Sequence, residues 1–151
     1  MSLYSIELLD LLEGLAERNM EVLKGYLKAS ENAKMPQLKS FFKRKHEERH
    51  QFINNFINIV PFTHVIDTDC NGFITESTQN TWMENELWFT SDHDKSLLRD
   101  AIKVDKAAFV EYNELLDNNL LPSVDFANLI ITQRTQIAKD IMEMKQLEEH
   151  L

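Results

Sequence analysis

The sequence predicts an all-α protein of four long helices, arranged as two helical hairpins joined by a long crossover. Apolar residues recur at spacings of three and four through four long stretches, the period of a helix with one buried face. Only three Gly and three Pro occur in 151 residues, which suits long helices with short connections. The interval 60–91 is too long for a tight turn, and can span the bundle so that the second and third helices run parallel.

The first helix is expected over about 3–29, with Leu8, Leu12, Leu15, Val22, Leu23 and Tyr26 on one face. At about 100° per residue, Asn19 falls within about 20° of that face's centre. The second starts at Pro36, a good first-turn residue, and runs to Ile59 before Pro61 ends it. Its face is Leu38, Phe41, Phe42, Phe52, Ile53, Phe56 and Val60, with Arg49 at the centre and Lys45 one turn away. The third is expected over 92–117, where Ser91 and Asp94 resemble a capping box. It turns Leu98, Ala101, Ile102, Ala108, Phe109, Tyr112 and Leu116 inward, with Asp105 among them. The fourth, over 123–148, buries Phe126, Leu129, Ile130, Ile137, Ile141 and Met144, and Gln133 lies in that stripe. Within the crossover, 78–89 (TQNTWMENELWF) has the pattern of a short amphipathic helix.

Composition narrows the function. The chain is long enough for one domain, 1–151, with a proper core. A net charge of −9 argues against a nucleic-acid partner and supplies no basic stripe for a membrane surface. The lone Cys70 permits no internal disulfide and fits a reducing, cytoplasmic setting. No apolar run approaches the roughly 18 residues of a membrane span, and no basic-then-apolar leader opens the sequence.

Several segments together resemble a bacterial ferritin-like family, domain of unknown function 2383. ERNMEVLKGYLKA (Glu17 to Ala29) is similar to its first-helix signature, carried here by Leu15, Glu17, Asn19, Glu21, Gly25 and Tyr26. The similarity continues through QLKSFF (Gln37 to Phe42) and through ERHQFINNF (Glu48 to Phe56), with Arg49 and Phe52 three apart. It extends to Trp82-Met83-Glu84 and to DKAAFVEYNELL (Asp105 to Leu116). It departs at Val104-Asp105, where members usually have Gly-Glu-Asp, and across Phe62 to Glu76. The resemblance implies a ferritin-like four-helix bundle; it implies no activity.

Ferritin-like bundles hold two metals at mid-height, with a carboxylate from each of two helices and a Glu-x-x-His pair from the other two. The corresponding layer here is Asn19, Arg49, Asp105 and Gln133, which is one carboxylate, one guanidinium and two amides. A buried Arg is costly unless paired, so Asp105 is its natural partner, with the amides satisfying the remaining groups. Arg49 in place of a metal's charge is favoured over an altered metal site, because a guanidinium offers a metal no ligand.

Three further motifs each admit a functional and a plainer reading. His46-Glu47-Glu48-Arg49-His50 is a literal HExxH on a helix, in which His46 and His50 can grip zinc and Glu47 can act as base. No third ligand follows it. The embedded Glu47-x-x-His50 mimics half a di-iron site, but its counterpart on the fourth helix is Gln133-Arg134-Thr135-Gln136. Asp67, Asp69 and Asn71, followed by Gly72, match the start of a calcium loop, but its last ligand position holds Thr78; an Asx/Gly turn explains it better. Trp82, Trp88 and Phe89 are read as packing the crossover on the bundle rather than as a partner surface.

The expected function is therefore a non-catalytic bundle that acts through protein contacts or self-association, with no cofactor. The alternative is an iron- or zinc-binding protein of oxidase or storage type using His46, Glu47 and His50.

Overall fold

The computed structural model describes residues 6–59, 82–83, 87–117 and 123–151. Among them stand four α-helices and no strand: α1 (Ile6–Asn32), α2 (Pro36–Ile59), α3 (Asp94–Leu116) and α4 (Val124–Glu149). The all-α expectation holds, and the boundaries of α2 and α4 fall close to those expected. α1 runs three residues beyond Ala29, and the Ala33 amide still bonds the Ala29 carbonyl at 2.9 Å.

Two expectations fail. α3 begins at Asp94 with His93 as its cap, and no side chain caps it. The Ser91 hydroxyl accepts from the nearby His93 amide, while the Asp94 carboxylate accepts from Lys34 and Met35 amides at 2.7 and 3.0 Å. Asp94 thus closes the α1–α2 turn instead of a capping box. The short crossover helix is also absent where it can be seen. Trp82 and Met83 form a bend, Leu87–Phe89 a turn, and Phe89 has a positive φ of 62°. Most of 78–89 lies outside the described residues.

α1 packs along α2, and α3 along α4. The hairpins meet through α1 on α3 and α2 on α4. Arg18 pairs with Glu111, Tyr26 with Asp105 and Lys34 with Asp94, so numbers rise along α1 as they fall along α3. Arg44 with Glu143 and Phe52 with Gln133 give the same antiparallel sense for α2 and α4. α2 and α3 therefore run parallel.

The main core is built from the expected stripes, including Leu8, Leu12, Phe42, Phe56, Ala101, Ile130 and Met144. Each fully buried Leu, Ile or Phe stabilises the fold by about 1.5–3 kcal/mol. On α3 Leu98, Ala101, Ile102, Ala108 and Tyr112 are buried as expected and Leu97, Val104 and Leu115 join them, while Phe109 and Leu116 are only partly buried. Leu129 and Ile141 on α4 are likewise only partly buried. Leu23 and Ile53 sit with Ala16 and Met20 in a second, smaller cluster.

Phe89 closes one end of the core. Its ring lies 5.5 Å from Tyr26 and 6.4 Å from Phe42. Its amide donates to Asp100 at 3.0 Å, and its carbonyl accepts from Asn32 at 2.7 Å. These two clamps hold a bulky residue in a left-handed conformation that it otherwise avoids. Gly25 makes room for it, since a Cβ there would meet Met83 at 2.8 Å and the Phe89 ring at 2.9 Å.

Candidate functional site: a buried polar layer

Asn19, Arg49, Asp105 and Gln133 are all buried, one from each helix. The structure brings them together as a hydrogen-bonded layer and adds residues that the sequence reading left out. Arg49 donates from Nη1 to Asn19 Oδ1 at 2.8 Å and from Nη2 to Asp105 Oδ1 at 2.6 Å. The Asn19 amide nitrogen donates to the Tyr112 hydroxyl at 3.1 Å, and that hydroxyl donates to Gln133 Oε1 at 2.5 Å. Gln133 ends the chain by donating to the Phe52 carbonyl at 3.2 Å. The Arg49 guanidinium also lies over the rings of Phe52, Trp82 and Tyr26, 5.5–5.9 Å from their centres.

The second half of the layer centres on Lys45. Its ammonium is fully buried and donates to Asp105 Oδ2 at 2.5 Å, Asp140 Oδ2 at 2.7 Å and Glu48 Oε2 at 3.2 Å. Tyr26 donates its hydroxyl to Asp105 Oδ1, beside Arg49. Asp105 is thus the hub, taking Arg49 and Tyr26 on one oxygen and Lys45 on the other. At the rim the half-exposed Arg44 pairs with Glu143 at 2.7 Å and lies 3.8 Å from Asp140.

Electrostatics set the protonation states. Burial is the largest influence on Lys45 and Arg49 and opposes both charges, but Asp105 together with Glu48 and Asp140 at Lys45, and with Tyr26 and Glu48 at Arg49, outweighs it and holds both above their ordinary range. Burial, reinforced by Asp105, pushes the Tyr26 hydroxyl well up, and burial does the same to Tyr112. Both phenols stay neutral donors. Burial raises Glu48 as well; Lys45 opposes this, but the hydrogen bond and charge of Asp140 carry it up to about 8. Burial also works against ionised Asp140, yet the Glu48 hydrogen bond and Lys45 bring it below its ordinary value. The proton between these two acids therefore sits on Glu48 at neutral pH. Two buried cations, Lys45 and Arg49, then face the carboxylates of Asp105 and Asp140. The layer is charge-balanced without any further ion. Among the described residues the Arg49 Nε–H has no hydrogen-bond partner, and Glu48 Oε2 lies 4.0 Å from it.

His46, Glu47 and His50 lie outside the layer. His46 Nδ1 is 2.7 Å from the Leu23 carbonyl, which fixes the proton on that nitrogen. His50 Nδ1 meets the Asn54 amide at 3.4 Å, and Glu47 is exposed. Among the described residues no group of three or more His, Cys, Asp or Glu is placed to hold a metal. Asp67, Asp69 and Asn71, with Cys70, lie outside the described residues. Of the aromatic cluster, Trp82 and Phe89 are buried; Trp82 donates to Glu111 at 2.6 Å and Arg18 lies over its ring.

The chain matches the model of a family described as Domain of unknown function (DUF2383) over residues 7–118. It belongs to that family. The match takes in α1, α2 and α3 and ends before α4, which supplies Gln133 and Asp140 to the layer. No curated protein and no solved structure matches it. No helix among the described residues is long and apolar enough to cross a membrane.

Proposed function

We propose that this protein is a ferritin-like bundle of the bacterial cytoplasm that performs no catalysis and acts through protein contacts, with a salt-bridged polar layer in place of a di-iron site. The ferritin-like reading is supported by the parallel course of α2 and α3 with antiparallel neighbours, which matches two hairpins joined by one long crossover. The cytoplasmic reading rests on the single Cys70.

One observation carries the functional reading: the Lys45 ammonium lies within 3.2 Å of three carboxyl groups, with Arg49 on the far side of Asp105. A metal at that place would need its own carboxylates and would meet two buried cations that already neutralise them. The layer registers four helices against one another and leaves the surface to carry the function. The competing reading, an iron or zinc protein using His46, Glu47 and His50, places its ligands on the flank of α2, with Glu47 turned to solvent.

Elemental analysis of protein expressed with added iron, zinc and manganese and then desalted separates the two. The proposal expects far less than one metal per chain. Near-stoichiometric metal that disappears in His46→Ala/His50→Ala would overturn it.

A further inference from the structure

The core-facing side of α4 carries Phe126, Ile130, Gln133, Ile137, Asp140 and Met144. The opposite side carries a second pattern that the interior does not use. Val124, Asn128, Ile131, Thr135, Ala138 and Met142 follow one another at alternating spacings of four and three. That is the a/d repeat of a helix packed lengthwise on another helix. None of the six is charged, in a chain of net charge −9. The three large ones stand in solvent: Val124 is 75 % exposed, Met142 64 % and Ile131 40 %. The seam covers about five helical turns, roughly 27 Å. α4 therefore carries apolar residues along two opposite stripes, each interrupted by two polar ones, and it is the least amphipathic of the four helices.

We propose that a second copy of this chain docks on this face, α4 against α4, antiparallel about a two-fold axis midway between Ile131 and Thr135. The flanking charges select this occupant. In that register Val124 meets the second copy's Met142, Asn128 meets its Ala138, and Ile131 meets its Thr135. Along one edge of the seam the exposed Asp125 comes opposite the second copy's exposed Lys139. The two-fold axis makes that ion pair twice. On the other edge Arg134 comes opposite the second copy's Arg134, one like-charge contact against two ion pairs; a parallel arrangement would set Arg134 against the second copy's Lys139 twice, with no ion pair along the seam to offset it. This names a partner for the protein-contact part of the proposed function. It rests on that part alone, since metal content can come out either way without moving the oligomeric state.

Analytical ultracentrifugation of the full chain over a concentration series is the test. The wild type is expected to form a dimer in reversible equilibrium with monomer. Ile131→Glu, at a solvent-facing position, is expected to be monomeric with unchanged helicity. Lys139→Asp is expected to weaken the dimer about tenfold by opposing carboxylates across the axis. Asp125→Lys/Lys139→Asp is expected to recover it, because the pair is restored with its signs exchanged. A wild type that stays monomeric to its solubility limit would overturn the proposal and leave the face to a different protein. So would a dimer that survives Ile131→Glu, or an exchanged pair that fails to recover affinity.

Discussion

Replacing Arg49 by Met keeps most of the buried volume and removes the charge. Asp105 Oδ1 then loses its charged partner at 2.6 Å, keeping only the Tyr26 hydroxyl, and Asn19 Oδ1 loses its donor at 2.8 Å. Asp105 Oδ2 keeps Lys45 at 2.5 Å, so the layer is left with one uncompensated negative charge rather than a bare carboxylate. Breaking one side of a buried pair costs about 3–5 kcal/mol, and the retained Lys45 places this case near the lower end, about 3 kcal/mol. For a chain of this size, that lowers the melting temperature by about 6–12 °C. In Arg49→Met/Asp105→Asn the stranded charge is gone and Lys45 faces Asp140 alone, which restores the balance. The double variant should therefore cost little more than Arg49→Met, with a coupling of at least about 2 kcal/mol in the cycle. Urea unfolding of the wild type, both single variants and the double variant at pH 7 measures it. A loss below about 1 kcal/mol for Arg49→Met is the size of a surface pair and would refute the buried-layer argument. Additive costs would refute the pairing.

Other consequences are as direct. Glu48 binds its proton more tightly in the folded protein, with a pKa of about 8 against an ordinary 4.5, so its stabilising contribution is complete below about pH 4.5 and is lost as pH rises towards 8. Wild-type stability should fall over that window by up to about 1.4 kcal/mol per pH unit, and in Glu48→Gln, which keeps a donor to Asp140, thermal melts should show that slope gone. Gly25→Ala drives a methyl into Met83 and the clamped Phe89 ring, so it should cost about 1–3 kcal/mol in urea unfolding, with part recovered by Met83→Ala. Asp94→Ala frees the Lys34 and Met35 amides and should cost about 1 kcal/mol, with faster amide exchange at those two positions.

The four polar residues that broke the apolar stripes were legible because periodicity marks where a helix faces inward, and a polar residue there must find a partner. The other members were harder to see. Asp140 lies in the same three-four spacing as Gln133, Ile137 and Met144, so its signal is present in the pattern. Lys45 lies one turn from Arg49, but a long side chain on the shoulder of a stripe reads equally well as one reaching for solvent. Glu48 lies well off the stripe's centre, and only its reach to Lys45 and Asp140 brings it in. Tyr26 and Tyr112 read as apolar rings, and their hydroxyl partners on α3 and α4 exist only once the hairpins pack. The capping box failed because Asp94 serves a turn some 60 residues earlier in the chain, which no local pattern can encode. The same limit applies at Phe89, whose clamps come from Asn32 and Asp100.

The central claim is that two side-chain cations, and not a metal, balance the carboxylates between the four helices. Thermal unfolding of the wild type with excess iron(II), zinc or manganese, set against the same protein with chelator, tests it most directly, with His46→Ala/His50→Ala as the control for binding on the flank of α2. A ligand at about 100 times its Kd stabilises the folded state by about 2.7 kcal/mol, which is a shift of several degrees. Coincident melting curves are the predicted result. A rise in melting temperature that survives in the histidine variant and disappears in Asp105→Asn or Asp140→Asn would contradict the account.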